Sequence, residues 1–454
     1  MLIQLQGQYI SRVYEYRPAP GQHINAQPWG QPSSAATIIG GIEGSLSLGA
    51  FGGYVVFGFE DAVENDPENP FGMDFTIFGN PMTDAAEPGM VYVMCDSNSN
   101  GLPDDTWYLL AGSDYWFSSS IRDYRVTYVN PGGHEDVPWN DNHGNSGFIY
   151  ANEIHEQPYY PAADSFQYID PAQYLLSGSM IAGAIDSSSP AFVRSLQRAF
   201  GYADNRLRGG EPHTFPDNPY TLDLEGSGGD AFDIDWAVDS LGNYVDLDSI
   251  HFIKVQTGMM GNTGWLGEIS TELTGAVDVT PEPGTNYDLD MVVIRDLPNV
   301  IDTAVYQLEG FAFHGGRIQP DADLIWETNT NWATINEDGL LELSWSGELE
   351  VKLSLESDTS VKCIARCLVE LPSQVPELTN PRMLIIPNPS RNYFKVSGVD
   401  EGRLQVFSVS GQLLIELPHY NERQSINTGD LKPGLYLVKL TTKEYTSTFK
   451  LIQQ

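Results

Sequence analysis

Short runs of β-branched and aromatic residues, each closed by Gly, Pro, Asn or Asp, recur along almost the whole chain, and they constrain the fold more than any other feature. Examples are YVVFGF (54–59), DFTIFG (74–79), MVYVMC (90–95), YRVTYV (124–129) and HFIKVQT (251–257). Such runs fit a pleated, half-buried surface, and the turn residues between them set the spacing of a β-sandwich or jelly roll. One stretch departs from this pattern. In SPAFVRSLQRAF (189–200), Ser189 can cap, Pro190 suits a first turn, and Phe192, Leu196 and Phe200 recur at every fourth position, which predicts a short helix inserted into an all-β chain.

A length of 454 residues predicts two to four domains. Composition shifts at VTPEPGTNYD (279–288), which closes a first jelly-roll-like domain over 1–280. A shorter β pattern fills 281–371, Pro372, Pro376 and Pro381 mark a stiff linker over 372–381, and a last small β-sandwich occupies 382–454. With 61 Asp and Glu against 23 Lys and Arg, the formal charge of −38 leaves no basic footprint for nucleic acid and repels anionic membranes. There is no run of about 18 apolar residues that would read as a transmembrane helix. The opening MLIQLQGQYI does not read as a secretory signal. Three cysteines make no disulfide framework, and Cys363 and Cys367 lie about 13 Å apart in an extended chain, beyond disulfide reach; buried or unpaired thiols are expected.

Two segments carry family resemblances. ATINEDGLLELSWSGELEVKLSLES (333–357) alternates around an Asp338-Gly339 turn and resembles a bacterial immunoglobulin-like domain. IIPNPSRNYFKVSG (385–398), LQVFSVSGQLL (404–414), INTGDLKPGLYLVKL (426–440) and TFKLIQQ (448–454) resemble, in order and spacing, the type A C-terminal sorting domain of the Bacteroidota type IX secretion system. In residue terms, Pro387-Asn388-Pro389 opens it with a rigid turn, Ser410-Gly411 suits a hairpin corner, and Leu435, Leu437 and Val438 are read as core. The resemblance implies export by the type IX machinery and attachment to surface lipopolysaccharide.

The stretch CDSNSNGLPDD (95–105) is the most chemically loaded. Counting Asp96 as position 1, side-chain oxygens fall at positions 1, 3, 5 and 9 (Asp96, Asn98, Asn100, Asp104), Gly101 stands at the turn, and Asp105 follows. Alternating oxygens around a glycine wrap calcium in EF-hand-like loops. The stretch resembles the calcium loops of thrombospondin type 3-like repeats, but Trp107 stands where a bidentate acid would close the site. Asp230, Asp233 and Asp235 are candidates to complete it. By the two-residue strand period, Asp233 and Asp235 share a face opposite Ile234 and Trp236. The alternative is an Asx-rich turn with no metal.

HEDVPWNDNHGNSG (134–147) gathers Trp139, Asn140, Asp141, His143 and Asn145 into what reads as a long polar loop, with Trp116 in the aromatic YWF (115–117) as a further candidate. Trp stacks on sugars or planar rings while Asn and Asp orient hydroxyls, so the set suits ligand binding; an ordered structural loop is the alternative. His134 and His143 lack a zinc spacing, HEQPY (155–159) lacks the second histidine of HExxH, and neither GxSxG nor GxxxxGK[ST] occurs. The glycines of GAFGGYVVFGF (49–59) lead into a strand and serve close packing.

Residues 14–278 are similar to a Bacteroidota family of cell-surface proteins in GGYVVFGFE (52–60), DVPWNDNHGNSG (136–147), FGYADN (200–205) and FDIDWAVDSLGNYVDLDSIHFIKVQTG (232–258), among others. That likeness implies a surface location and, loosely, an association with TonB-dependent corrinoid uptake. Three readings follow: a non-catalytic surface protein binding a glycan or corrinoid, stabilised by structural calcium; a calcium-dependent polysaccharide-degrading enzyme; and an adhesin or structural surface component. The absence of every sharp catalytic motif favours the first and third.

Overall fold

Val55, Phe57, Val91, Val93, Ile253 and Val255 alternate with residues of the opposite face along three neighbouring strands, and each is 1% exposed or less. They form the inner face of a six-stranded sheet in a computed structural model that describes residues 8–82, 84–187, 193–206, 229–279, 281, 289–372, 384–399, 401–443 and 446–454. The strand order is Arg12–Arg17, Tyr54–Gly58, Phe252–Thr257, Gly89–Met94, Tyr108–Leu110 and Ala237–Val238. Phe252–Thr257 sits antiparallel between its neighbours, with Val255 opposite both Val55 and Val91. The inner face shares one core with Phe75, Ile77, Phe232 and Ala276 of a three-stranded sheet (Asp230–Phe232, Phe75–Phe78, Gly275–Asp278). Burying each large side chain contributes about 1.5–3 kcal/mol, which makes this sandwich the main store of stability. The approach to it is tight: a Cβ on Gly53 would lie 1.8 Å from the Leu48 carbonyl oxygen.

A four-stranded sheet (Ser146–Ile149, Val137–Asp141, Ile121–Val129, Gln173–Met180) carries a second core rich in tyrosine. Tyr124, Val126 and Tyr128 turn inward by strict alternation, and the buried Tyr128 and Tyr174 hydroxyls donate to the carbonyls of Phe51 (2.9 Å) and Pro18 (2.8 Å). The polar stretch expected as a long loop is therefore a hairpin, its turn made at Asn142–Gly144 with Gly144 at φ 85°. Of the helix expected over 189–200, the described part, 193–200, is not helical. Residues 188–192 lie outside the described residues, and Arg194–Leu196 is a strand paired with Ala184–Asp186. Cross-strand pairing and the Arg194–Asp186 ion pair override the four-residue spacing of Leu196 and Phe200.

Residues 289–371 form three small sheets, one of four strands in which Val300–Ile301 runs parallel to Lys362–Val369. Asp338-Gly339 makes the expected turn, with Gly339 at φ 78° and its N–H donating to Asn336. This region is fused to the one before it: Met291, Val293 and Phe313 belong to the core of the large sandwich. Phe313 meets Phe200 edge to face at 5.2 Å, and Trp236 Nε1 donates to the Gly315 carbonyl at 2.9 Å. Met1–Leu371 is accordingly one compact unit and Pro372–Gln454 a second. Of the linker read over 372–381, only Pro372 lies among the described residues.

The second unit is itself a sandwich of a three-stranded sheet (Leu384–Ile386, Tyr393–Ser397, Ile426–Asn427) and a four-stranded one (Leu413–Tyr420, Gly402–Ser408, Gly434–Thr441, Thr446–Gln453). Gly411, at φ 83°, makes the hairpin corner. Along Gly434–Thr441 the pleat turns Tyr436, Val438 and Leu440 inward, which leaves Leu435 exposed (44%) and corrects its reading as core. The whole described chain is all-β apart from short 3₁₀ turns. Cys95, Cys363 and Cys367 are free, the last two buried on one face of Lys362–Val369.

Candidate functional site

The Asp96 loop joins two strands of the six-stranded sheet, and its side chains close it. Asp96 accepts the N–H groups of Asn100 (3.1 Å) and Gly101 (2.8 Å), Asn98 Oδ1 that of Asn100 (3.0 Å), and Asn100 Oδ1 that of Leu102 (2.7 Å). The amides of Asn98 and Asn100 converge on Asp104 at 3.0–3.1 Å, and Asp105 accepts the Ser97 N–H. Gly101 takes φ 73°, as the alternation requires. The donor set is all oxygen, which suits calcium, and Asp96, Asn98, Asn100 and Asp104 do gather on one loop. Trp107 instead turns back into the sheet, and the oxygens of Asp96, Asn98 and Asn100 serve the backbone as Asx turns do.

The distant aspartates are engaged elsewhere. Asp230 accepts the N–H groups of Asn205 (2.9 Å) and Arg206 (3.0 Å), and Asp235 accepts from Asn65 (3.0 Å). Asp233 caps a 3₁₀ turn, Ile234–Trp236, so the strand face expected for Asp233 and Asp235 does not exist; Ile234 and Trp236 are both buried because the turn rolls them into the core.

In the Val137–Ile149 hairpin, Asp141 is the organising residue. It accepts from the Tyr124 hydroxyl (2.8 Å), the N–H groups of His143 (2.9 Å) and Asn145 (2.7 Å), and the Asn145 amide (2.8 Å). Burial works upward on its pKa, and these hydrogen bonds outweigh it, so the carboxyl lies below its ordinary value. Trp139 lies across Gly147 and half-buries against the tyrosine core, His143 stacks on Tyr124 at 5.8 Å, and Asn140 and Asn145 stay exposed. These five residues are brought together, but largely in one another's service. Trp116 is not among them: it packs on Tyr115 and Tyr244 against a different core cluster.

Two arrangements were not legible beforehand. Glu87, Asp204 and Glu272 come from separate segments, and their oxygens lie within 4.8 Å of one another in the interior. Asp204, at φ 56°, accepts from Asn80 N–H (2.9 Å) and Glu272 N–H (2.8 Å); Ser270 donates its N–H to Glu87 and its hydroxyl to Glu272, both at 2.9 Å. Burial, reinforced by Glu272, drives the Glu87 and Asp204 carboxyls well above their ordinary range. Such a group holds protons or, in exchange for them, a hard cation.

The second arrangement is the outer face of the six-stranded sheet. Lys254, opposite Tyr92 and Val56, carries its ammonium 4.0 Å from the Tyr92 ring centre, 5.2 Å from Trp107 and 5.8 Å from Tyr54. Desolvation lowers its pKa to about 8 against the attraction of Glu15. The signal was present in the alternation of HFIKVQT, where one lysine interrupts an apolar strand.

Residues 384–454 match the secretion system C-terminal sorting domain. No relative matches among curated proteins. Among solved structures, the chain is similar to the Escherichia coli adhesin FdeC at 10% identity over 46% of this chain and 78% of that one, with a TM-score of 0.17. It is similar to a titin Ig tandem at 12% over 37% and 97%, TM-score 0.14, and to the human desmocollin-1 ectodomain at 12% over 40% and 47%, TM-score 0.16. The C-terminal unit is a sorting domain of the type IX secretion kind, which marks a secreted, cell-surface protein, and no helix among the described residues is long and apolar enough to cross a membrane.

Proposed function

We propose that this protein is a non-catalytic binding protein displayed on the cell surface, exported by the type IX machinery through its C-terminal unit and attached there to lipopolysaccharide. The sorting-domain match over 384–454 carries the export reading. Binding is favoured over catalysis because, among the described residues, the hairpin residues satisfy one another and the cluster of Glu87, Asp204 and Glu272 contains no histidine. The ligand class proposed is a glycan, for which aromatic rings supply stacking faces. Deleting 382–454 is expected to strand the protein in the periplasm; normal surface display of the shortened chain would refute the reading.

Calcium is proposed as a structural ion of the Asp96 loop, whose oxygen donors suit it. Calorimetry after chelator treatment should register heat and a rise in melting temperature, both abolished by Asp96→Asn together with Asp104→Asn. Retention of the whole response in that variant would move the ion elsewhere, with Glu87, Asp204 and Glu272 the next residues to change.

A further inference from the structure

We infer that the outer face of the six-stranded sheet is the ligand site, and that it takes an acidic oligosaccharide laid across the strands from Tyr14 to Trp107. The inference rests on the surface-binding reading above and names its site and ligand class.

Across that face the strands carry Tyr14, then Tyr54, then Phe252 and Lys254, then Tyr92, and then Trp107 beyond the edge of the next strand, with Phe252 and Tyr92 buried beneath it and the Tyr92 hydroxyl accepting the Ser179 N–H. Tyr14, Tyr54, Trp107 and Lys254 are each half-buried, so part of every one reaches solvent. Four inter-strand steps of about 4.8 Å make a row roughly 19 Å long, room for a short chain of sugar rings. The rings are fixed: Tyr14 meets Phe252 edge to face at 5.0 Å, and the aromatic side chains pack on the buried Val56 and Met94. Fixed aromatic faces stack on sugars at little entropic cost.

Charge selects the class. In a chain of net charge −38, this face concentrates cations: Lys254 at its centre, Arg12 at 4.6 Å over Tyr14, and Arg17 over both Tyr54 (5.8 Å) and Tyr168 (5.3 Å). Glu15 pairs with Arg17 at 2.7 Å and also attracts Lys254, while neither Lys254 nor Arg12 forms a salt bridge among the described residues. A desolvated ammonium held over three rings is favourable for an incoming carboxylate, and the surrounding negative field rejects anionic ligands elsewhere on the surface. The face continues past Tyr14 into a groove of about 430 Å³ between the edge strand and the Ser165–Tyr168 segment, where Glu15, Gln167 and the 67% exposed Tyr168 offer hydroxyl partners and a further ring.

The test is calorimetric titration of the full chain with tetragalacturonate, maltotetraose and poly-glutamate at low and high salt. Tetragalacturonate should bind and weaken with salt, and Lys254→Gln and Arg12→Gln should each reduce its affinity about tenfold, the exposed Arg12 with the melting temperature unchanged. Trp107→Ala should abolish binding; because Trp107 and Lys254 also pack on the sheet, the Arg12 variant keeps the test independent of folding. Failure of the acidic sugar to bind, or binding indifferent to both cation variants, overturns the inference. Equal binding of poly-glutamate would make the face a site for acidic peptides instead. Maltotetraose bound with loss on changing Trp139 or Asp141 would preserve a surface glycan binder and move its site to the hairpin.

Discussion

Single residues in this protein are governed by buried carboxyls, and their titration gives the sharpest prediction. Burial raises Asp74 and Asp230 to about 7 and Glu268 to about 8, and takes Glu87, Asp204 and Asp233 well above the ordinary range. A carboxyl whose folded pKa exceeds its unfolded value contributes stability that is complete below the unfolded value, near about 4, and is lost as pH rises through the folded one. Asp141, Asp170 and Asp239 are lowered and act in the opposite sense, but only as pH falls below about 4. Lys254, lowered to about 8, contributes only at higher pH. The melting temperature in metal-free buffer should therefore fall between about pH 5 and pH 8, and Glu268→Gln should shrink that fall, since Glu268 Oε2 is buried without a hydrogen-bond partner. A flat or rising profile would contradict this assignment. The same residues show why the interior was illegible. Asp96, Asn98 and Asn100 announce themselves because a loop closes on local neighbours, whereas Asp204 and Glu272 are 68 residues apart and meet only through the sheets that carry them.

At the scale of elements, the strands were legible wherever one face is buried, because alternation is a direct trace of the pleat: Tyr54–Gly58, Phe75–Phe78 and Phe252–Thr257 all lie where their composition placed them. Legibility failed where pairing overrides composition. The polar Val137–Ile149 hairpin hides its strands because one face meets solvent, and Arg194–Leu196 hides behind a helical spacing. That second error matters, since the same segment delivers Arg198 into the seam between 8–279 and 289–371. Arg198, 8% exposed, bridges the buried Asp114 at 2.9 Å and the part-exposed Asp296. Removing a buried partner leaves an uncompensated charge, so Arg198→Ala should cost about 3–5 kcal/mol in urea unfolding of the first unit. A loss below about 1 kcal/mol would reduce the pair to the rank of a surface contact.

For the whole molecule, the boundary near 280 that composition suggests is not a boundary in packing. A change of composition records a change of strand length and turn density, while a domain limit records where contacts stop, and contacts do not stop there: Met291, Val293 and Phe313 complete a core that includes Phe200 and Trp236, and Phe117 meets Phe311 at 5.4 Å. The immunoglobulin-like pattern of 333–357 thus belongs to a region that seals the core of the first unit, so a fragment ending at 280 would open large aromatic side chains to water. Exposed patches of that kind promote association. A chain of residues 1–371 should melt cooperatively and stay monodisperse, and a chain of residues 1–280 should bind an apolar dye, lose the sharp transition and aggregate on warming. Equal melting temperatures for the two would show that the shared core contributes little, and that the region after 289 folds independently of the sandwich before it.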